Sequence, residues 1–375
     1  MQTPLVTGAT GFLGRDVVHA LVQANPDLRV VCLIRASDDL VLQRRLLRVV
    51  AGLSEGEARR VSALRGDIEQ ERLGLSEETY RTLPEKIDRV LHIAATTNFD
   101  HSLDEARRIN VGGTRHAIEL AKALKAAGRS GRLDYVGTAY VAGDRRDVCR
   151  EDELDKGQGF RNTYERSKFE AESLCRQAGG VLPIALYRPA IIVGDSRDGT
   201  TRSYKTIYWP MKMLVKLYGL WPSLLTRVLR LPVRPGCRLD IVPVDYVARA
   251  VAALWARDEA IGRCYHLAAG PAAPTIEEVV NLSCDHFGVA RLGYLDPEGP
   301  IGLLGRRLAP LVERANPRLW KNVKLMAAYT RENPRFDVSN ATAAGFVAPS
   351  VHAYFERLLR FARQDNFGEG SGREK

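Results

Sequence analysis

No Cys-x-x-Cys pair and no cluster of histidines occurs in this chain, although it carries six cysteines, at 32, 149, 175, 237, 264 and 284. Neither a zinc site nor a disulfide framework has the spacing it needs, so no metal is expected and a reducing compartment is. The N-terminus lacks a charged region followed by an apolar core, and no secretory signal is predicted. Long uncharged apolar runs are also missing. The most apolar stretch, residues 208–231, is broken by Lys212, Lys216, Pro222, Arg227 and Arg230, too many for a spanning helix, and a cytoplasmic protein is expected. There is no internal repeat. Basic residues outnumber acidic ones, 55 to 45, for a net charge of +10. They are scattered, and no basic stripe carries interleaved aromatics, so nucleic-acid recognition has no footprint here. The surplus suits anionic partners: phosphorylated cofactors, acidic carrier proteins or lipid surfaces.

What is present is a core. At 375 residues and 45% hydrophobic content, the chain is long enough for one large or two interlocked domains. Short apolar runs at Leu5-Val6, 30–34, 89–93, 133–136 and 183–187 alternate with helical periodicity over 16–23, 114–127 and 164–177. This βαβ rhythm predicts an α/β protein of the Rossmann class, a doubly wound parallel sheet with a smaller, discontinuous substrate lobe. Residues 1–193, with 237–268 returning, form the expected nucleotide-binding domain. Residues 194–236 and 269–363, where the rhythm breaks, form the expected lobe. The polar, Gly-rich end, 364–375, is expected to be disordered.

Three local patterns carry chemistry. Directly after the first apolar run, Gly8, Gly11 and Gly14 stand three residues apart. Gly8 would allow a tight strand-to-helix turn, Gly11 a close approach of backbone amides to a pyrophosphate, and Gly14 close packing of helix on strand. Thr138 ends the apolar run at 133–136, at the carboxyl edge of the sheet where ligands of such folds bind, and its hydroxyl would bond either a substrate carbonyl or the local turn backbone. Tyr164 and Lys168 lie four residues apart on a predicted helix and so share a face. A cation ~4–5 Å from a phenol would lower its pKa by roughly two to three units and bring it toward neutrality.

With these residues in this order, the sequence resembles the extended short-chain dehydrogenase/reductases, over Thr7 to about Ala268. The resemblance implies that Tyr164 donates a proton, that Lys168 holds the nicotinamide ribose and lowers the Tyr164 pKa, and that Thr138 orients the carbonyl. It also implies a cofactor cradle of Gly8, Thr10, Gly11, Phe12, Leu13 and Gly14, an adenine contact at Asp67 and Ile68, a cofactor wall including Ala94, and an Asn-containing helix start at Asn110. At the end of the second strand, Arg35 stands where NAD binders usually offer an acid. Arg35 could reach a 2′-phosphate, and Arg45 could join it or belong to a solvated helix face with Arg44 and Arg48. NADPH is therefore the expected cofactor.

Within the family, Leu33-Ile34-Arg35-Ala36, Gly66-Asp67-Ile68, His92 to Phe99, Arg188-Pro189, Gly194-Asp195-Ser196 and Asp240 to Val247 resemble the branch of fatty acyl-CoA reductases, carboxylic acid reductase terminal domains and thioester reductases. Arg188 is included among the cofactor contacts on this basis, and Asp245 is read as a helix N-cap. Gly137 departs from the pattern, standing where a Ser often precedes the catalytic hydroxyl. These 375 residues carry no adenylation or carrier module, so the thioester is expected to be met in trans. Tyr208, Trp209, Met211, Met213, Leu214, Tyr218, Leu220, Trp221 and Leu225 form an apolar cluster that fits core, an acyl pocket or peripheral membrane contact. The resemblance implies an NADPH-dependent reductase of an acyl thioester, on coenzyme A or an acyl carrier protein, giving an aldehyde and, with a second hydride, an alcohol. The alternative is an NAD(P)-dependent dehydrogenase or epimerase acting on a steroid-like, flavonoid-like or sugar-nucleotide hydroxyl or ketone.

Overall fold

The structure, a computed structural model, describes residues 2–204, 207–220, 230–296, 299, 313–314, 329–330 and 332–369, with side chains of the helix at 208–220 described as far as Lys216. A seven-stranded sheet runs in the order Cys264–Leu267, Ile184–Pro189, Arg132–Val136, Arg89–His92, Pro4–Thr7, Val30–Ile34 and Val61–Arg65, every neighbouring pair parallel. Leu5 lies between Val31 and Val90, so the chain reverses its winding between the first and fourth strands. That switch point opens the crevice in which ligands of such sheets bind.

Both faces are covered, which explains strands that read as continuous apolar runs. On one side, Val17, Val18 and Leu21 of the helix Phe12–Ala24 pack with Val247, Val251 and Trp255 of the helix Val244–Trp255. On the other, Ala117, Leu120 and Leu124 of Gly113–Ala126 meet Ala171 and Cys175 of Thr163–Ala178. Arg132, buried at a strand start, is held by a charge partner and by carbonyls: it donates to Asp134 at 2.8 Å and to the carbonyls of Leu254 and Arg257, capping the C-terminal end of the helix Val244–Trp255.

Shorter strand pairings lie outside the main sheet. Val148–Cys149 pairs with Arg335–Phe336, and Ile191–Val193 with Ile241–Pro243. Tyr208 and Met211 join Val279, Tyr354, Phe355 and Leu358 in a second core. The end of the chain differs from expectation: Phe355–Gln364 is a helix, Asn366–Gly368 a turn, Phe367 is buried in the same core, and Glu369 pairs with Lys212 and Lys216. An aromatic anchor and two ion pairs order what composition alone reads as a solvated tail. Residues 370–375 of that predicted tail lie outside the described residues.

Asp240 sits at the seam, fully buried, accepting from the amides of Ala269 and Gly270 at 2.8 and 2.9 Å. Burial pushes its pKa up to about 6 against those two bonds. A raised folded-state pKa contributes stability below the unfolded value that is lost as pH rises through the folded value. Between pH 4 and pH 7 the wild type is therefore expected to lose on the order of 2 kcal/mol relative to Asp240→Asn, measurable by urea denaturation of both proteins at each pH.

Candidate active site

Three chain segments converge on a cleft of about 820 Å³ above the switch point. The first is the glycine turn. Gly8 has φ +76°, and a Cβ there would lie 2.6 Å from the Ala94 amide nitrogen; a Cβ on Gly14 would lie 2.1 Å from the Gly8 carbonyl oxygen. Thr7, fully buried, accepts from the amides of Ile93 and Ala94, each at 3.2 Å, and so fixes the facing wall. Gly11 precedes the helix Phe12–Ala24 without a side-chain cap, leaving the positive end of the helix with its first amides uncapped by any side chain. A pyrophosphate fits this cradle: glycines clear the space and the helix end supplies donors.

The second segment is the helix Thr163–Ala178. Asn162 caps it by accepting from the Glu165 amide at 2.9 Å, which places Tyr164 in the first turn and Lys168 one turn on. Lys168, buried, donates to the Val136 carbonyl at 2.9 Å and lies 4.4 Å from the Tyr135 ring centre. Burial lowers its pKa to about 8. Tyr164 packs edge-on against Phe99, and Thr138, the third catalytic candidate, lines the same cleft, its hydroxyl accepting from the Tyr140 amide at 3.3 Å and donating to the Pro189 carbonyl at 3.4 Å. The expected lowering of the Tyr164 pKa by Lys168 is not found. Burial pushes the phenol up to about 12, with neighbouring Thr138 opposing and the Glu165 charge adding to the rise. Tyr164 is thus protonated at neutral pH.

The third segment anchors the second. Asn110, buried in the π-helical stretch Arg107–Gly112, accepts from the Thr96 amide at 2.8 Å and donates to Ser167 Oγ at 2.8 Å, which in turn donates to the Tyr164 carbonyl. It ties the cofactor wall to the Tyr164 turn from behind; it does not line the cleft. Asn110→Ala is expected to cost on the order of 2 kcal/mol in chemical denaturation, since the buried bond to Ser167 and the bond from the Thr96 amide are both lost.

Of the remaining candidates, Thr10, Phe12, Leu13, Arg35, Arg45, Asp67, Ile68 and Ala94 line the cleft. Arg188 does not. It is buried, bidentate to Glu172 at 2.7 and 2.9 Å and bonded to His266 and the Glu153 carbonyl; strand alternation turns it away while Pro189, the next residue, lines the cleft. Asp245 is not the N-cap; its carboxylate accepts from the Ser196 amide and hydroxyl at 2.8 and 2.9 Å and pins that loop. A Cβ on Gly137 would meet the Tyr135 ring at 3.2 Å, so the missing serine side chain matches a tight site. Tyr208, Trp209, Met211, Met213 and Leu214 do not line the cleft; Tyr218, Leu220, Trp221 and Leu225 have side chains outside the described residues.

The sequence reading missed Glu69, Arg108, His101, Tyr140, Ile191 and Tyr329, all cleft residues. Tyr329 donates to Glu165 at 2.8 Å and packs edge-on against Tyr140 at 5.3 Å. Glu165, the second residue of the Tyr-Glu-Arg-Ser-Lys stretch, is buried and also held by Arg161. Nothing local marks Tyr329, which lies 164 residues from its partner in an aperiodic region.

Residues 6–251 match the NAD-binding family described as "Male sterility protein". The chain belongs to this family. It has the extended short-chain dehydrogenase/reductase fold, and the match establishes a reductase-type protein with a site for a nicotinamide cofactor. Among solved structures, the terminal R domain from the myxalamid PKS-NRPS biosynthetic pathway superimposes with a TM-score of 0.79 at 28% identity, covering 98% of this chain and 92% of that one. A component of the linear gramicidin synthase of Brevibacillus parabrevis is 29% identical over 277 residues, 71% of this chain and 5% of its own length. L-2-aminoadipate reductase of Schizosaccharomyces pombe is 29% identical over 268 residues, 67% of this chain and 18% of its own. Curated relatives of this male-sterility-type chain are thus matched over only 5% to 28% of their length. Among the described residues no helix is long and apolar enough to cross a membrane.

Proposed function

We propose that this protein is an NADPH-dependent reductase of acyl thioesters carried on a carrier protein or coenzyme A, releasing an aldehyde. The observation that carries the proposal is the meeting of Tyr164, Thr138 and Lys168 with the glycine turn Gly8, Gly11 and Gly14 in one cleft of about 820 Å³. Likeness to an R domain of a peptide synthetase pathway and to aminoadipate reductase supports a carrier-bound thioester as substrate. NADPH rather than NADH is supported by Arg35 and Arg45 at the adenosine end.

The glycine cradle would hold the pyrophosphate, Lys168 the ribose, and Asp67 with Ile68 the adenine. When bound, the nicotinamide supplies hydride. The protein's own groups act on the thioester carbonyl: Tyr164 and Thr138 donate to its oxygen and stabilise the charge that develops as the carbon becomes tetrahedral. Tyr164 then delivers its proton, and the resulting hemithioacetal collapses to aldehyde and free thiol.

The test is oxidation of NADPH and NADH, in parallel, by the purified chain with an acyl-CoA or acyl-pantetheine thioester. We expect NADPH to be preferred by tenfold or more and free thiol to appear in proportion to cofactor oxidised. Equal use of both cofactors would remove the NADPH assignment, and ketone reduction without thiol release would favour the dehydrogenase alternative.

A further inference from the structure

Arg35 and Arg108 come from elements 73 positions apart in the chain, one at the end of the second strand and the other in the π-helical stretch, yet both reach the same carboxylate. Arg35 Nη1 lies 3.1 Å from Glu69 Oε1, and Arg108 Nη2 lies 3.3 Å from Glu69 Oε2. All three line the cleft, as do Asp67 and Ile68, and Arg35 Nη1 also lies 4.0 Å from Asp67 Oδ2. Glu69 is largely covered, at 17% exposure, while the two guanidinium groups are 67% and 64% exposed. Arg45 is occupied differently: it donates to the Arg35 carbonyl, holding the backbone from which Arg35 projects.

We infer that Arg35 and Arg108 together form the 2′-phosphate site, with Glu69 acting as an internal counter-anion that occupies their donors and is displaced when the phosphate binds. This rests on the NADPH reading above and adds to it a second phosphate ligand and a specificity-setting acid. Two oxygens of one anion already bridge the two guanidinium groups; a phosphate monoester presents three oxygens and up to two negative charges, and satisfies the same pair with more charge. Its gain over Glu69 is a difference between two anions, so Glu69 sets how strongly the site prefers a phosphate to a hydroxyl. A dinucleotide lacking the phosphate leaves the bridge intact. Arg45 is a positioning residue, acting through the Arg35 backbone.

Calorimetric titration of the whole chain with 2′,5′-ADP and with 5′-AMP reads the site without turnover. The wild type is expected to bind 2′,5′-ADP at least about tenfold more tightly. Arg108→Ala should weaken 2′,5′-ADP by about tenfold and leave 5′-AMP within about twofold, and Arg108→Lys should recover part of the loss. Glu69→Gln should tighten 2′,5′-ADP by about threefold or more at low salt, with less effect at high salt. Should Arg35→Ala lose the 2′,5′-ADP preference while Arg108→Ala keeps it, the inference fails and the NADPH reading stands. An equal loss of both probes in Arg108→Ala would place Arg108 on the adenine ring instead, and weakening of 2′,5′-ADP by Glu69→Gln would overturn the counter-anion role. A wild type that binds both probes equally would remove the NADPH reading itself.

Discussion

Tyr164→Phe is expected to reduce thioester turnover by at least about a thousandfold while leaving cofactor affinity within about twofold. The substitution removes one oxygen. In the proposed mechanism that oxygen is the proton donor and one of two hydroxyl donors to the carbonyl, and losing a single oxyanion donor alone costs about a hundredfold or more. The ring remains, so its edge contact with Phe99 and the turn capped by Asn162 are retained. Cofactor binding, measured by fluorescence titration, separates this from a folding defect. A variant retaining more than a tenth of wild-type turnover would show that Tyr164 is not the donor.

Gly14→Ala has the second large effect, at the other end of the reaction. A single methyl group at this position would sit 2.1 Å from the Gly8 oxygen and 2.7 Å from the Gly8 carbonyl carbon, both backbone atoms of the turn itself. No side chain can swing aside to relieve it. The turn must open, separating the amides at the helix end from the place a pyrophosphate would take. Cofactor affinity should fall by a hundredfold or more, with a stability loss of about 1–3 kcal/mol from overpacking. Gly56→Ala is a matched control, since nothing lies within 4 Å of its added Cβ. Equal cofactor binding by Gly14→Ala and wild type would mean that this turn is not the cradle.

The parts of the fold legible in the sequence were those whose signal is local. Buried parallel strands read as apolar runs because helices cover both faces, and the glycine turn, Thr138 and the Tyr164–Lys168 spacing were visible because each is fixed by a few consecutive residues. Arg188 misled because a strand alternates faces, and an arginine beside a cleft-lining proline looks like a cleft residue until the alternation is placed in space. Glu69, Arg108 and Tyr329 were not visible because each is defined by a partner far along the chain. The state of Tyr164 is also non-local: spacing suggests a cation nearby, but burial decides the direction of the shift. Phe367 anchors a stretch that looks solvated because one ring, among glycines and charges, barely changes a composition.

The most direct measurement of the central claim is a single-turnover reaction of the purified protein with an acyl thioester and NADPH deuterated at the transferred position, with products identified by mass spectrometry. The account predicts free thiol together with an aldehyde carrying one deuterium, or an alcohol carrying two when the aldehyde is retained for a second transfer. An unconsumed thioester, in a preparation that transfers deuterium to ketones, would contradict it.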